Sequence, residues 1–131
     1  MRLLLDTHIA VWVLVDDARL SKSARSLIGD ADNQCAVSVV SLWEIAIKHS
    51  LRKRGENAML LPADVARDAL ERAEYEIVPV SAAHAVEVGR LPRLHGDPFD
   101  RLLVAQAVAE PFRLVTHDQR LTAYGETVIL V

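Results

Sequence analysis

The strongest constraint on how this chain folds is the alternation of short apolar runs with longer segments of helical pattern. Apolar runs lie at 2–5, 35–39, 75–80, 112–116 and 127–131, and segments with helical spacing lie at 7–15, 21–28, 41–52, 63–73, 81–88 and 98–109. Buried strands that alternate with helices are typical of a parallel sheet covered by helices on both faces. The sequence therefore predicts an α/β fold, a three-layer α/β/α sandwich around a five-stranded parallel sheet.

Length and composition indicate one domain spanning residues 1–131. Just over half of the residues, 51%, are hydrophobic, which is enough for a core without disulfides. The single cysteine, Cys35, cannot form an intramolecular disulfide and suits a reducing compartment. Asp6 interrupts the first apolar run before it could form a secretory signal, and the apolar run 9–15 is too short to span a bilayer. We expect a cytoplasmic protein that does not enter the membrane.

The charge balance excludes nucleic-acid binding by bulk positive charge. The formal net charge is −3, whereas proteins that bind nucleic acid through overall charge are usually basic. Any contact with phosphate must therefore come from a local basic patch or from a bound cation.

Acidic residues occur at strand ends and helix starts in four separate segments. Asp6 follows the first predicted strand and Asp118 comes two residues after the fourth. Glu44 lies near the start of the helix after the second strand, and Asp100 near the start of the helix before the fourth. Because sites in open parallel sheets form beyond the carboxyl ends of the strands, we expect these four carboxylates to converge.

Converging carboxylates indicate a hard divalent cation. Several carboxylates within a few ångströms repel one another unless protons or a cation neutralise them. Oxygen ligands without a histidine or cysteine cluster favour Mg²⁺ or Mn²⁺ over zinc. An ion held in this way can polarise a phosphodiester and activate water for attack, so the pattern favours a metal-dependent nuclease.

Each acid also has a structural interpretation. Glu44 completes the pattern Ser41-x-x-Glu44, a capping box, and lies four residues before Lys48, with which it could form an ion pair. Asp6, Asp97 and Asp118 could each cap the turn or helix that follows. Only the convergence of all four acids at one edge of the sheet favours the functional interpretation.

The basic residues and the histidines indicate the function less clearly than the acids do. The run Lys48, Arg52, Lys53 and Arg54 is either a solvated helix end or a track for RNA phosphates, and in the second case Lys48 and Arg52 bind RNA. Arg101 could hold a carboxylate or a phosphate through its planar guanidinium. The five histidines have no zinc-ligand spacing, although His8 and His117 adjoin the acids. No P-loop, Gly-x-Ser-x-Gly or Gly-x-Gly-x-x-Gly motif occurs.

Four motifs together resemble the PIN-domain family, and more narrowly its VapC-like toxins from prokaryotic toxin–antitoxin pairs. They are Leu-Leu-Leu-Asp-Thr-His at 3–8, Ser-Leu-Trp-Glu-Ile-Ala-Ile-Lys at 41–48, His-Gly-Asp-Pro-Phe-Asp-Arg-Leu-Leu-Val-Ala-Gln-Ala at 95–107 and Val-Thr-His-Asp at 115–118. The motifs occur in the family's order and cover essentially the whole chain.

The resemblance implies a five-stranded parallel sheet and an endoribonuclease that requires Mg²⁺ or Mn²⁺. Asp6 and Asp100 correspond to the principal metal ligands, and Glu44 and Asp118 to acids that complete the site directly or through water. Thr116 corresponds to a hydroxyl that supports the cluster, and Asp97 belongs to the third motif. The implied partners are an RNA substrate, a second copy in a homodimer, and a cognate antitoxin that can place an arginine in the acidic site.

Two other functions remain compatible with the sequence. One is a PIN-like nuclease that processes RNA or cuts DNA without an antitoxin. The other is a non-catalytic binding protein that uses its acidic pocket to hold a basic partner.

Overall fold

The five predicted strands form one parallel sheet in the computed structural model, which describes residues 1–51 and 59–131. The strands are β1 (Arg2–Leu5), β2 (Gln34–Ser38), β3 (Glu76–Val78), β4 (Arg113–Thr116) and β5 (Val128–Leu130). Their order across the sheet is β3-β2-β1-β4-β5, and every neighbouring pair is parallel. The prediction of a five-stranded parallel sheet is confirmed.

Six α-helices and one 3₁₀ segment connect the strands in the described part of the chain. They are α1 (Thr7–Val15), α2 (Lys22–Gly29), α3 (Val39–Ser50), α4 (Ala63–Arg72), α5 (Ala82–Arg90), α6 (Pro98–Ala109) and the 3₁₀ segment Gln119–Thr127. The bounds of β1, α1 and α6 agree with the sequence prediction, and most other ends differ by one or two residues. The side chain of Ser21 accepts the amide of Ala24, so its predicted capping of α2 is confirmed.

The start of α3 differs from the prediction. The helix begins at Val39 because Ser38, the last residue of β2, accepts the amide of Val40 through its hydroxyl. Ser41 and Glu44 therefore lie inside the helix, and their interpretation as a capping box is wrong. The predicted end of this helix, with Arg52, Lys53 and Arg54, lies outside the described residues.

Alternate residues of the strands pack under helices on opposite faces of the sheet. Leu3, Leu5 and Val115 join a core with α1, α2 and α4. Leu4 and Leu114 join a second core, to which α6 contributes Leu103, Val104 and Ala107. Side chains of a strand alternate between faces with a period of two, so a sheet that is apolar on both faces must be covered on both. The result is the predicted three-layer sandwich.

The helices are short. The longest, α3 and α6, have 12 residues each. Within residues 1–51 and 59–131, no helix combines the length and the apolar character needed to cross a bilayer.

Candidate active site

An acidic pocket of about 190 Å³ lies beyond the carboxyl ends of β1 and β4. All four acids singled out in the sequence reach it, although they come from different elements: Asp6 follows β1, Glu44 lies on α3, Asp100 on α6, and Asp118 follows β4. The other side chains that line it are His8, Lys48, Asp97, His117 and Arg120. The fold thus gathers into one pocket carboxylates that are up to 112 positions apart in the sequence.

Asp6 is buried at the floor of the acidic pocket and is held by Thr116. The hydroxyl of Thr116 donates to Asp6 Oδ2 at 2.6 Å and accepts the amide of Asp118 at 3.0 Å. Burial raises the pKa of Asp6, and the nearby charge of Glu44 adds to the effect, whereas the Thr116 hydrogen bond opposes it. Thr116 therefore fixes one carboxylate and orients the backbone of a second.

Glu44 is anchored by two residues on opposite sides of its carboxylate. The Thr7 hydroxyl donates to Glu44 Oε1 at 2.7 Å and lies 2.9 Å from Ser41 Oγ. Lys48, one helical turn further along α3, forms an ion pair with Glu44 Oε2. Burial alone would lower the pKa of Lys48, but its hydrogen bond to Glu44 and the surrounding acids raise it on balance. The i,i+4 ion pair predicted as an alternative is therefore present, and it occurs inside the acidic pocket.

Asp100 lies in the acidic pocket beside His95 and other acids. His95 Nε2 lies 2.8 Å from Asp100 Oδ2 and 3.8 Å from Asp118 Oδ2. Burial, followed by the negative charge of Asp6, raises the pKa of Asp100 from 3.8 to about 7. A carboxylate in this position is costly to ionise unless positive charge is placed next to it.

Arg120 supplies such positive charge to Asp118. Its Nε and Nη2 atoms bind the two oxygens of Asp118 at 3.0 and 2.8 Å, although the side chain of Arg120 is 71% exposed. This paired hydrogen bonding lowers the pKa of Asp118. A guanidinium from the chain itself thus already binds an acid of this pocket in the two-pronged geometry that suits carboxylates.

Asp97 and Arg101 have structural contacts. Asp97 caps α6 by accepting the amides of Phe99 and Asp100, so the capping role weighed in the sequence is present. Arg101 holds no carboxylate within residues 1–51 and 59–131. Its guanidinium donates to the carbonyl oxygens of Val88 and Pro92 at 3.0 and 3.2 Å and lies 3.4 Å from the Tyr124 hydroxyl. It points away from the acids because successive residues of a helix face different directions.

Three aromatic rings form a wall beside the acids. His117 packs on Trp12 with 4.6 Å between ring centroids, and His8 lies 5.8 Å from His117. Burial lowers the pKa of His8. The two histidines that adjoin the acids in sequence therefore line the acidic pocket, with Trp12 buried behind them.

Sequence reasoning did not assign a role to His95 or Arg120. His95 lies in the third motif, but its contact with Asp100 depends on how the loop before α6 turns back. Arg120 follows Asp118 by two residues, a spacing that carries no specific signal. The pairing of both residues with acids is visible only in the folded chain.

The donor set fits a hard divalent cation. Five carboxylates line the acidic pocket, and burial together with their mutual repulsion raises the pKa of Asp6 and Asp100, a cost that a bound cation would relieve. Among the described residues, the group whose ligand atoms lie within 4.8 Å of one another is His95, Asp100 and Asp118. This group contains two of the four predicted acids, Asp100 and Asp118, together with the imidazole of His95.

Comparisons with known proteins identify the family of the chain. A family model described as the PIN domain matches residues 3–126. The chain is 36% identical over 122 residues to ribonuclease VapC22 of Mycobacterium tuberculosis (strain ATCC 25618 / H37Rv). The aligned residues make up 92% of this chain and 90% of that protein.

Solved structures with the same fold include VapBC2 of Rickettsia felis, bound to a DNA fragment from its promoter, and VapBC-5 of Mycobacterium tuberculosis. The first has a TM-score of 0.69 at 22% identity and covers 100% of this chain and 98% of that one. The second has a TM-score of 0.63 at 21% identity and covers 99% and 97%. At these identities the two structures support the fold alone.

Proposed function

Since this chain belongs to the PIN-domain family, we propose that it is a metal-dependent endoribonuclease that acts as the toxin of a toxin–antitoxin pair. The observation that carries the proposal is the convergence of Asp6, Glu44, Asp100 and Asp118 on one pocket at the carboxyl edge of the sheet. The similarity to a ribonuclease over 92% of the chain supports RNA as the substrate. An RNA substrate makes the cytoplasm the expected place of action.

The four carboxylates would hold Mg²⁺ or Mn²⁺ in this proposal, with His95 next to Asp100 and Asp118. When bound, such an ion polarises a phosphodiester and makes water a stronger nucleophile. The aliphatic and aromatic packing around β1 and β4 keeps bulk water away from the floor of the acidic pocket, which strengthens every electrostatic contact there.

The chain's own hydroxyl and ammonium groups keep the acids in place. Thr116 fixes the oxygen of Asp6, and Thr7 fixes one oxygen of Glu44. Lys48 forms an ion pair with the buried Glu44 and so places one positive charge beside its carboxylate. Groups that orient metal ligands in this way contribute to affinity and rate although they do not touch the substrate.

Replacing Thr116 with valine tests this support. Valine keeps the shape but cannot donate to Asp6 or accept the Asp118 amide, so we expect RNA cleavage to fall by about 10-fold to 100-fold. Because the Thr116 hydrogen bond opposes the upward shift of the Asp6 pKa, its loss moves the acidic limb of the pH–rate profile to higher pH. Thr116→Ser, which retains a hydroxyl, is the matched control. A Thr116→Val enzyme with an unshifted profile would contradict the positioning role.

We also propose an antitoxin as the protein partner, with an arginine that enters the acidic pocket. The binding of Asp118 by Arg120 supports this idea, because it shows that a guanidinium fits against an acid of this pocket. An arginine from a partner would compete with the divalent ion for the same negative charge. A complex of this kind would be inactive until the partner is removed.

We propose that the chain forms a homodimer through the outer face of α3. Val39, Trp43, Ile47 and Leu51 recur every four residues and are 36 to 61% exposed, which gives an apolar stripe along the helix. Stripes of this kind on a soluble protein commonly mark interaction surfaces. Sedimentation of the purified chain should give twice the monomer mass, and Trp43→Asp should shift it to the monomer.

Growth and cleavage assays test the function. Expression of the chain alone should arrest growth, and co-expression of the small protein encoded directly upstream, or the Asp6→Asn substitution, should restore it. Purified protein should cut RNA only with Mg²⁺ or Mn²⁺. Metal-independent cleavage would refute the mechanism.

Two other outcomes would favour the alternative functions. RNA or DNA cleavage with no upstream antitoxin would indicate a nuclease outside a toxin–antitoxin pair. Tight binding of an arginine-rich peptide without Mn²⁺ binding would indicate a non-catalytic module.

A further inference from the structure

We propose that a second cavity, between the end of α5 and the start of α6, binds the single-stranded RNA that flanks the bond to be cut. This inference rests on the proposed ribonuclease function and adds a subsite for the substrate. We call this cavity the basic groove. It has a volume of about 610 Å³, and the residues that carry the argument are Leu91, Arg93, Leu94, His95 and Arg101.

The basic groove adjoins the acidic pocket through one side chain. His95 lines the basic groove, and its Nε2 atom lies 2.8 Å from Asp100 and 3.8 Å from Asp118, both of which line the acidic pocket. A polynucleotide whose phosphate lies at the acids therefore has the basic groove directly next to it, one imidazole ring away. Because the two cavities lie on either side of His95, one extended ligand could occupy both.

Two arginines give the basic groove positive charge that no described residue neutralises. Among the described residues, the acceptors of Arg101 are all uncharged: the carbonyl oxygens of Val88 and Pro92 and the Tyr124 hydroxyl. Arg93 is exposed and forms no ion pair within residues 1–51 and 59–131. By contrast, Arg90 pairs with Glu87, and Arg120 pairs with Asp118. Although the chain has a net charge of −3, Arg93 and Arg101 make the basic groove a local site for an anion.

Two leucine side chains give part of the remaining lining an apolar surface. Leu94 is 49% exposed, and Leu91 is partly exposed beside it. Apolar surface interspersed with guanidinium groups suits single-stranded RNA, whose phosphates bind cations while its unstacked bases pack against apolar or planar groups. An acidic peptide offers the charge but has no other reason to lie against the acidic pocket, where it would be repelled.

Arg93→Ala is the test that leaves the fold intact, because Arg93 makes no described side-chain hydrogen bond or ion pair. Binding of a short fluorescent single-stranded RNA is measured by anisotropy over a range of salt, with Asp100→Asn in every sample so that the RNA is not cut. We expect Arg93→Ala to weaken binding about threefold to tenfold at low salt and to reduce the slope of log Kd against log salt by about 0.7, the value for one phosphate contact on a single strand. Arg93→Glu should weaken binding further.

Arg67→Ala is the matched control. Arg67 lies on α4, is exposed, and pairs with Asp68, so its removal changes the net charge by the same amount away from both cavities. Equal losses for Arg93→Ala and Arg67→Ala, or an unchanged Kd and slope for Arg93→Ala, would overturn the subsite while leaving the ribonuclease proposal standing. No RNA binding by the Asp100→Asn protein with Arg93 intact would overturn the subsite, and the cleavage assay with Mg²⁺ or Mn²⁺ decides the ribonuclease proposal separately. Unchanged RNA affinity with weaker antitoxin binding would assign the basic groove to the antitoxin instead.

Discussion

The Asp100→Asn variant is expected to lose RNA cleavage and yet to be more stable than the parent protein without metal ions. Asparagine removes a negative charge that would bind the divalent ion, so activity should fall by about 100-fold or more. The same charge lies in a buried position beside Asp6, where its pKa is raised to about 7. Removing it should increase the free energy of unfolding at pH 8 by about 1 to 2 kcal/mol, measured by urea denaturation in EDTA.

Asp68→Asn is the matched control for this pair of effects. Asp68 is an exposed acid on α4, so its replacement should leave both cleavage and unfolding almost unchanged. The Asp6→Asn variant should also lose cleavage, because asparagine removes a second carboxylate that would hold the divalent ion in the acidic pocket. Full activity in Asp100→Asn would refute its catalytic role, and a stability at or below that of the parent would refute the crowding of charge.

The second large effect is expected in the protein without metal ions, whose free energy of unfolding should fall as the pH rises. Divalent ions should reduce this dependence on pH. Between about pH 4 and pH 7 the folded chain retains a proton on Asp100 that the unfolded chain has lost, because the pKa is 3.8 in one state and about 7 in the other. The folded state binds more protons, so the stability of the ion-free protein should fall as the pH rises through this range. The raised pKa of Asp6 acts in the same direction.

Added Mg²⁺ or Mn²⁺ should therefore stabilise the protein more at pH 8 than at pH 5. At an ion concentration 100 times the dissociation constant, the gain is about 2.7 kcal/mol where the acids are ionised, and less where protons compete. The measurement is the melting temperature with EDTA and with the ion at each pH. Asp100→Asn is the internal control, and it should show a weaker pH dependence and a smaller gain. An ion effect that is equal at both pH values would contradict the linkage.

These two predictions express one property of the acidic pocket: the arrangement proposed for catalysis is unfavourable for folding. The residues that hold the acids reduce this cost without cancelling their charge. Thr116 and Thr7 donate hydrogen bonds to Asp6 and Glu44, and Lys48 provides one positive charge. The remaining repulsion is what leaves the pocket ready for a cation, whether that is a metal ion or a guanidinium.

Much of the site could be predicted from the sequence because it depends on where strands end. Asp6 and Asp118 were assigned to the carboxyl edge from their positions after apolar runs, and both lie there. The contacts between side chains were less predictable. The pattern Ser41-x-x-Glu44 suggested a helix cap, but Ser38 begins the helix two residues earlier than expected, and Thr7 from α1 reaches Glu44 instead.

Arg101 shows why local pattern is not sufficient. From its place beside Asp100 in sequence, Arg101 could hold a carboxylate or a phosphate, and α6 directs it away from the acids toward the end of α5, where it donates to backbone carbonyl oxygens and lines the basic groove. Adjacent helical residues point about 100° apart, so neighbours in sequence rarely serve the same pocket. The contacts of His95 and Arg120 with acids depend in the same way on how loops turn.

By itself, the sequence determined the order of strands and helices, the layering of the sheet and the identity of the acids at its carboxyl edge, because these follow from the periodicity of apolar residues along the chain. Only the tertiary structure decided which groups pair with those acids, how far their pKa values shift, and that a basic groove adjoins them. Pairing and pKa shifts depend on distances of a few ångströms between residues far apart in sequence, and burial sets their strength. Neither quantity is encoded in local pattern.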